Sequence, residues 1–352
     1  MKKISNICRV CGRKLFGKPL LRYENMPKSA QYLPDKETLK NDKGVVLEVC
    51  QCSGCGLVQL NNKPVPYYRE VIRASGFSKE MIDFRNKQFK DFVKKYNLKN
   101  KKIIEIGCGK GEYSQIMSKY SANTFGFDGY IEKSDYKIKN YPYDAFFIMN
   151  FLEHLPNIND VLGGIYNNLS DNSVGIVEVP NFDMILKNNL FSEFVVDHLF
   201  YFTKETLENI LKLNGFDILE SEIVWHDYII SVVVKKRKIL DLSKFYDCQN
   251  ILKMDIEKYI SKYKRVAIWG AGHQALAIMA MMNLGNKIKY VIDSATFKQG
   301  KYTPSTHIPI VAPDYLISNP VDAVLVMAAG YSDEVVKIIR QKFDKNIDVK
   351  IF

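Results

Sequence analysis

Four of the chain's seven cysteines come in two close pairs: Cys8-Arg-Val-Cys11 before Gly12, and Cys52-Ser-Gly-Cys55 before Gly56. Two residues between the thiols let a tight turn offer both sulfurs to one tetrahedral ion at about 2.3 Å. The glycine that follows lets backbone amides approach the sulfurs. Two such turns read as a zinc ribbon with Cys8, Cys11, Cys52 and Cys55 as ligands. Cys50 and Cys52 have only one residue between them, too few for that turn, so Cys50 is expected to be a strand residue. Four thiolates close the coordination shell, which makes the expected zinc structural rather than catalytic. The alternative is four reduced, metal-free buried thiols.

A second chemical pattern is "KKIIEIGCGKGEY", an apolar strand ending in Glu105 and followed by Gly107, Gly109, Gly111 and a helix. This GxGxG spacing differs from the GxGxxG that seats a dinucleotide pyrophosphate. Asp128, in "FGFDGY", ends the next strand. The combination resembles the opening motifs of class I S-adenosylmethionine-dependent methyltransferases. By that resemblance Glu105, Gly107, Gly109, Gly111 and Asp128 surround the cofactor, with bare backbone against it and Asp128 accepting the ribose hydroxyls. Asn150 ends the fourth strand, where it can face the same ligand. Only "GYIEKSDYKIKNYP" separates Asp128 from the strand at Tyr143. That is too short for the usual helix and third strand, and leaves Asp135 as the acid at hand on the adenine side.

Methyl transfer is an in-line displacement on an electrophile already activated by sulfonium charge. The protein must mainly align the partners and take a proton from the acceptor. "SEFVVDHLFYFTKETLENIL" puts Asp197 and His198 before an aromatic strand and a helix capped by Thr203. A neutral His198, its tautomer fixed by the Asp197 carboxylate, suits the base role. The competing reading is a histidine that only bonds across a turn. His154, in "EHLP", is read either as a substrate or cofactor contact or as a capping and packing residue. His226, in "VWHDYII", is a weaker choice.

The elements that must position these residues fall into three blocks. Residues 1–65 are expected to form a zinc-binding domain. Residues 66–240 alternate strand-like runs with helical stretches, the pattern of a mostly parallel α/β sheet whose last strand returns through a hairpin. Residues 241–352 open with a charged helix and continue into a second α/β unit at "RVAIWGAG". Hydrophobic residues are 47% and charged residues 25% of the chain, an ordinary globular balance, and the net charge is +11. The lysines are dispersed, and no nucleic-acid-binding module is recognisable. No apolar run reaches the roughly 18 residues of a membrane helix, so a cytoplasmic protein without membrane insertion is expected.

With the cysteine pairs, "CGLVQL", the glycine loop, "EVPNF" and "KQGKYTPSTHIPIVAPDYL" in view, the chain resembles the three-domain sugar C-methyltransferases that act on nucleotide-linked deoxy-ketosugars. The resemblance implies a class I methyltransferase Rossmann-like sheet flanked by an N-terminal zinc ribbon and a C-terminal Rossmann-like α/β domain. It also implies S-adenosylmethionine as cofactor and a nucleotide-sugar as substrate, with the C-terminal domain helping to bind it. His198 matches the histidine of the family's Glu-His pair, Asp197 stands for the glutamate, and His154 falls at a substrate-side histidine. Tyr67 and Tyr68 match a tyrosine-rich cofactor segment, while Val195 stands where the family has a tyrosine. C-methylation requires a carbonyl beside the reacting carbon, and O-methylation requires only a hydroxyl. A rival function comes from Gly270, Gly272, Ala275 and Asp293, which satisfy a dinucleotide fingerprint and would suit an NAD-binding oxidoreductase or sensor. A third reading is a catalytically inactive methyltransferase-like scaffold.

Overall fold

The computed structural model describes residues 6–30, 33–65, 78–128 and 141–352. Tyr67, Tyr68 and Asp135 lie outside these residues. The chain divides into two compact units, Met1–Ile239 and Leu240–Phe352.

In chain order the first unit contains β1 (Leu21–Met26), β2 (Val45–Gln51), β3 (Val58–Leu60), α1 (Lys79–Lys95), β4 (Ile103–Ile106), α2 (Glu112–Ser118), β5 (Thr124–Phe127), β6 (Tyr143–Met149), α3 (Ile158–Asn167), β7 (Leu169–Pro180), α4 (Phe182–Lys187), β8 (Phe200–Tyr201), α5 (Lys204–Leu213), β9 (Phe216–Val224) and β10 (Ile229–Lys236). Six of the strands form one sheet in the order β5-β4-β6-β7-β10-β9. β5, β4, β6 and β7 run parallel, and β10 and β9 close the sheet as an antiparallel hairpin. Among the described residues β5 is the edge strand of this sheet.

Strands covered on both faces need apolar residues at successive positions. β6 meets this with Ala145, Phe146, Phe147, Ile148 and Met149, all fully enclosed. Alternate residues feed two cores. Phe146 and Ile148 pack with Val161, Leu162, Leu207 and Ile210 of α3 and α5. Phe147 and Met149 pack with Phe89, Phe92 and Tyr113 of α1 and α2. Helix α1 buries Met81, Arg85, Phe89, Phe92 and Val93, one stripe at helical spacing, and its Ser78 cap accepts from the Met81 amide.

The cysteine block is built into this unit. Its sheet has the order β1-β2-β3-β8, so its last strand comes from the segment that carries His198. The β3–β8 pairing sets Val58 opposite Tyr201 and Gln59 opposite Phe200.

The second unit contains α6 (Ser243–Ile260), β11 (Val266–Trp269), α7 (His273–Met281), β12 (Val291–Ile292), β13 (Ile310–Val311), α8 (Tyr315–Ser318), β14 (Ala323–Val326), α9 (Ser332–Lys342) and β15 (Asp348–Ile351). Its five strands are all parallel, in the order β13-β12-β11-β14-β15, an open Rossmann-like sheet. No described helix is long and apolar enough to cross a membrane.

Candidate active site and metal centre

The two cysteine turns meet. An antiparallel bridge between Leu15 and Cys52 joins their supporting segments, and the Sγ atoms of Cys8, Cys11, Cys52 and Cys55 converge. Cys8 and Cys55 sulfurs are 3.7 Å apart, and those of Cys11 and Cys52 are 3.4 Å apart. A tetrahedron with 2.3 Å bonds has edges of about 3.7 Å. Amides of Val10, Gly54 and Cys55 point at the sulfurs of Cys8 and Cys52 from 3.3–3.4 Å, the donors that stabilise thiolates. The donor set and its spacing therefore fit a closed tetrahedral thiolate site. Cys50 lies outside the quartet, buried in β2 opposite Gln59.

The quartet connects to the chemistry through backbone pairing. The Arg9 amide donates to the buried Gln59 side chain, and β3 holds β8. The Leu60 amide donates to the Leu199 carbonyl at 2.9 Å, and the Leu199 amide donates to the Glu153 carbonyl at 2.8 Å. The residue before Leu199 is His198. The cysteine block thus holds the backbone that directly follows the histidine.

The glycine loop sits at the carboxyl end of β4. The amide of Gly107 donates to the Phe127 carbonyl at 2.7 Å, which brings the loop against the end of β5, where Asp128 follows. Gly107 has φ +76°, and a Cβ there would lie 2.3 Å from the Phe151 ring. Gly111 has φ +83° with nothing within 4 Å of such a Cβ, and at Gly109 the nearest atom is Glu112 Oε2 at 3.8 Å. At Gly109 and Gly111 the loop therefore presents bare backbone to open space, a cradle that side chains would fill, while Gly107 admits the Phe151 ring. Glu105 is fully enclosed, and its carboxylate accepts from Ser114 Oγ of α2 at 2.6 Å. It braces the turn from beneath. Asn150, just after β6, adopts φ +47°, and its amide donates to the Glu178 carbonyl. Tyr68 lies outside the described residues.

Phe151, which closes on Gly107, leads directly into a 3-10 turn, Leu152–His154. The His154 and His198 rings meet edge to face with centroids 4.8 Å apart. Nδ1 of His154 is 2.9 Å from the Asp197 carbonyl. A carbonyl only accepts, so Nδ1 carries the hydrogen and Nε2 is left to face Glu153 Oε1 at 3.8 Å. Burial, and then the neighbouring His154, push the His198 imidazole down to about 3, so it is neutral at physiological pH.

Asp197 is placed differently from the sequence expectation. Its carboxylate accepts from Ser29 Oγ at 3.2 Å and from the Ala30 amide at 2.6 Å, tying the active-site loop to the N-terminal block. Its backbone carbonyl, not its side chain, orients an imidazole, and the imidazole is that of His154. Adjacent residues in a non-helical segment send their side chains to different sides, so proximity in sequence misled here. The carboxylate beside both histidines is Glu153, 1% exposed. Its signal was its place beside His154 in "FLEHLP". Tyr228 joins the rim, donating to Glu193 at 3.2 Å, and burial with the Glu193 and Glu153 carboxylates pushes its phenol up to about 12. His226 is exposed in the β9–β10 turn and pairs with Glu80 at 2.8 Å.

Beneath β7, Arg85 and Glu178 form an ion pair with both side chains fully enclosed, and Gln88 donates to the same carboxylate. No motif pointed to this pair, because Arg85 looks like a surface residue until the helix is packed.

In the second unit the dinucleotide-like acid is already engaged. Asp293 accepts from the amides of Ala271 and Ala295, each at 2.9 Å, and pairs with Lys298 at 2.9 Å. The carboxylate that would meet ribose hydroxyls instead bonds the glycine loop itself.

A glycine loop after β4 of a mostly parallel sheet, an acid after the neighbouring β5 and a reversed hairpin at the far edge define a class I methyltransferase fold. Residues 76–221 match the model of a methyltransferase domain, and residues 243–349 match that of a C-methyltransferase C-terminal domain. C-methyltransferase NovU of Streptomyces niveus is 22% identical over 94% of this chain and 91% of its own length. These matches make the chain an S-adenosylmethionine-dependent methyltransferase whose C-terminal unit is similar to that of C-methyltransferases. Similar solved structures include PH0226 protein from Pyrococcus horikoshii OT3, 17% identical over 48% of this chain and 98% of that one, TM-score 0.38. Another is an S-adenosylmethionine-dependent methyltransferase from Clostridium acetobutylicum ATCC 824, 13% identical over 44% and 92%, TM-score 0.35.

Proposed function

We propose that this methyltransferase acts on a nucleotide-linked deoxy-ketosugar, methylating a carbon beside the keto group with His198 as the base. The observation that carries the reading is the grouping of His198, His154 and Glu153 one turn from Phe151, which closes on the glycine loop. Bound S-adenosylmethionine would supply an electrophilic methyl group and leave as the neutral thioether. Gly107, Gly109 and Gly111 would offer it bare backbone, and Asp128 would take its ribose hydroxyls. His198, with no hydrogen-bond partner for its ring among the described residues, is open to accept the proton that leaves the acceptor carbon. Glu153 stabilises the resulting imidazolium, and His154 is held by the Asp197 carbonyl to line the same space. The cysteine quartet would hold a structural zinc ion that stiffens β2 and β3 and, through β8, the His198 segment.

His198→Gln is expected to lower methyl transfer to a nucleotide-linked deoxy-ketosugar by about 100-fold or more, the usual scale for a lost general base. Its affinity for S-adenosylhomocysteine should match that of the parent chain. Full turnover in this variant would remove His198 as the base.

A further inference from the structure

The cysteine quartet is one of two clusters of metal-ligating side chains among the described residues. The other is Glu153, His154 and His198, and it differs in chemistry. We propose that these three residues form a second metal site, which takes a divalent transition ion such as Zn2+ or Co2+ and, when filled, withdraws the active-site imidazoles from proton transfer. The last clause rests on the base assignment made above; the metal site does not.

Each of the three residues has a donor atom within 4.8 Å of the other two, and Glu153 Oε1 lies 3.8 Å from His154 Nε2. Donors sharing one ion at 2.0–2.2 Å stand roughly 3 to 4 Å apart, so shifts of about half an ångström close the longest separation. The tautomer is already the one a metal needs. His154 Nδ1 bonds the Asp197 carbonyl, which directs the Nε2 lone pair toward Glu153. A carbonyl behind an imidazole is the support that metal-binding histidines ordinarily use. The ring of His198 has no hydrogen-bond partner among the described residues, so no internal bond must break for it to ligate. The backbone holds the set in place, because the Leu199 amide is tied to the Glu153 carbonyl.

Two imidazoles and one carboxylate select Zn2+, Co2+, Ni2+ or Fe2+ over Mg2+ and Ca2+, which prefer oxygen ligands throughout. Three protein ligands leave open positions, whereas the four thiols of the quartet close theirs. The second site should accordingly bind more weakly and exchange faster. An ion on His198 occupies the lone pair that the acceptor's proton would otherwise take.

The test uses the full chain with its cysteine site filled by zinc, titrated with Co2+ and followed by visible absorption. The expected result is one further equivalent of Co2+, with the weak visible bands of nitrogen and oxygen ligands and without the intense near-ultraviolet bands of thiolates. His154→Gln and His198→Gln should each weaken that binding about tenfold or more. Retained S-adenosylhomocysteine affinity in both variants would show that they are folded. His226→Gln, altered at an exposed ring outside the cluster, should bind Co2+ like the parent. The proposal is overturned by thiolate bands alone, by undiminished binding in both cluster variants, or by loss of the signal in His226→Gln. The readout is metal occupancy, so its failure is separate from that of the base assignment, which the turnover of His198→Gln decides.

Discussion

Gly107→Ala makes the most direct test of how the cofactor loop and the histidine cluster are coupled. Two costs arise at that position. A Cβ at φ +76° costs about 1–2 kcal/mol in left-handed strain. The same atom would stand 2.3, 2.4 and 2.7 Å from Cγ, Cδ1 and Cδ2 of Phe151, an overpacking worth about 1–3 kcal/mol. Phe151 is 3% exposed and cannot swing into solvent, so the loop has to yield. If the whole of about 2–5 kcal/mol appears in the ligand complex, affinity falls by about 30-fold to a few thousand-fold. Gly111→Ala is the control. Its φ is +83°, yet a Cβ meets nothing within 4 Å, so only the backbone cost applies, about 5- to 30-fold. The assay is calorimetric titration with S-adenosylhomocysteine, with Phe151→Leu added to Gly107→Ala to relieve the contact. Recovery in that double variant, toward the Gly111→Ala value, is expected. Equal affinities for Gly107→Ala and Gly111→Ala would refute the reasoning, because the Phe151 contact would then carry no cost.

Other outcomes follow from the same structure. After exhaustive dialysis, which empties the weaker histidine site, metal analysis should find about one zinc per chain, lost in Cys52→Ser and retained in Cys50→Ser, since the Cys50 sulfur lies outside the quartet; equal loss in both would undo the ligand assignment. Arg85→Met leaves the Glu178 carboxylate enclosed without its cation and should cost about 3–5 kcal/mol in denaturant unfolding, most of it recovered in Arg85→Met/Glu178→Leu. A double variant as damaged as the sum of the two single ones would show that the pair is not the source. Burial alone would raise the Asp293 carboxyl, but Lys298 and the amides of Ala295 and Ala271 hold it below its ordinary value. Its stabilising contribution is therefore complete above the unfolded value of about 3.9 and lost as pH falls through the lower folded value. Protection of the Ala271 amide against hydrogen exchange, taken relative to its intrinsic rate at each pH, should fall on acidification in the parent chain and be low at every pH in Asp293→Asn; a well-protected amide in the variant would contradict that account.

Local patterns were enough to give the fold class of this chain. Alternating apolar runs and helical stretches and a glycine loop directly after a strand are properties of short segments. Short segments fix backbone direction and period. The cysteine pairs were legible for the same reason, since a turn of four residues sets where its two thiols point. What the sequence by itself could not determine is which side chains face one another across elements. Asp197 and His198 are neighbours in the chain, yet the Asp197 carboxylate serves Ser29 and Ala30. Glu153 comes beside His198 only because β8 pairs with β3 and the Leu199 amide reaches back to the Glu153 carbonyl. Arg85 and Glu178 meet only when α1 lies on the sheet, and Asp293 reads as a ribose ligand until the folded loop claims its oxygens. Contacts of this kind depend on strand order and packing, which long-range burial selects from many registers that the local pattern would equally allow.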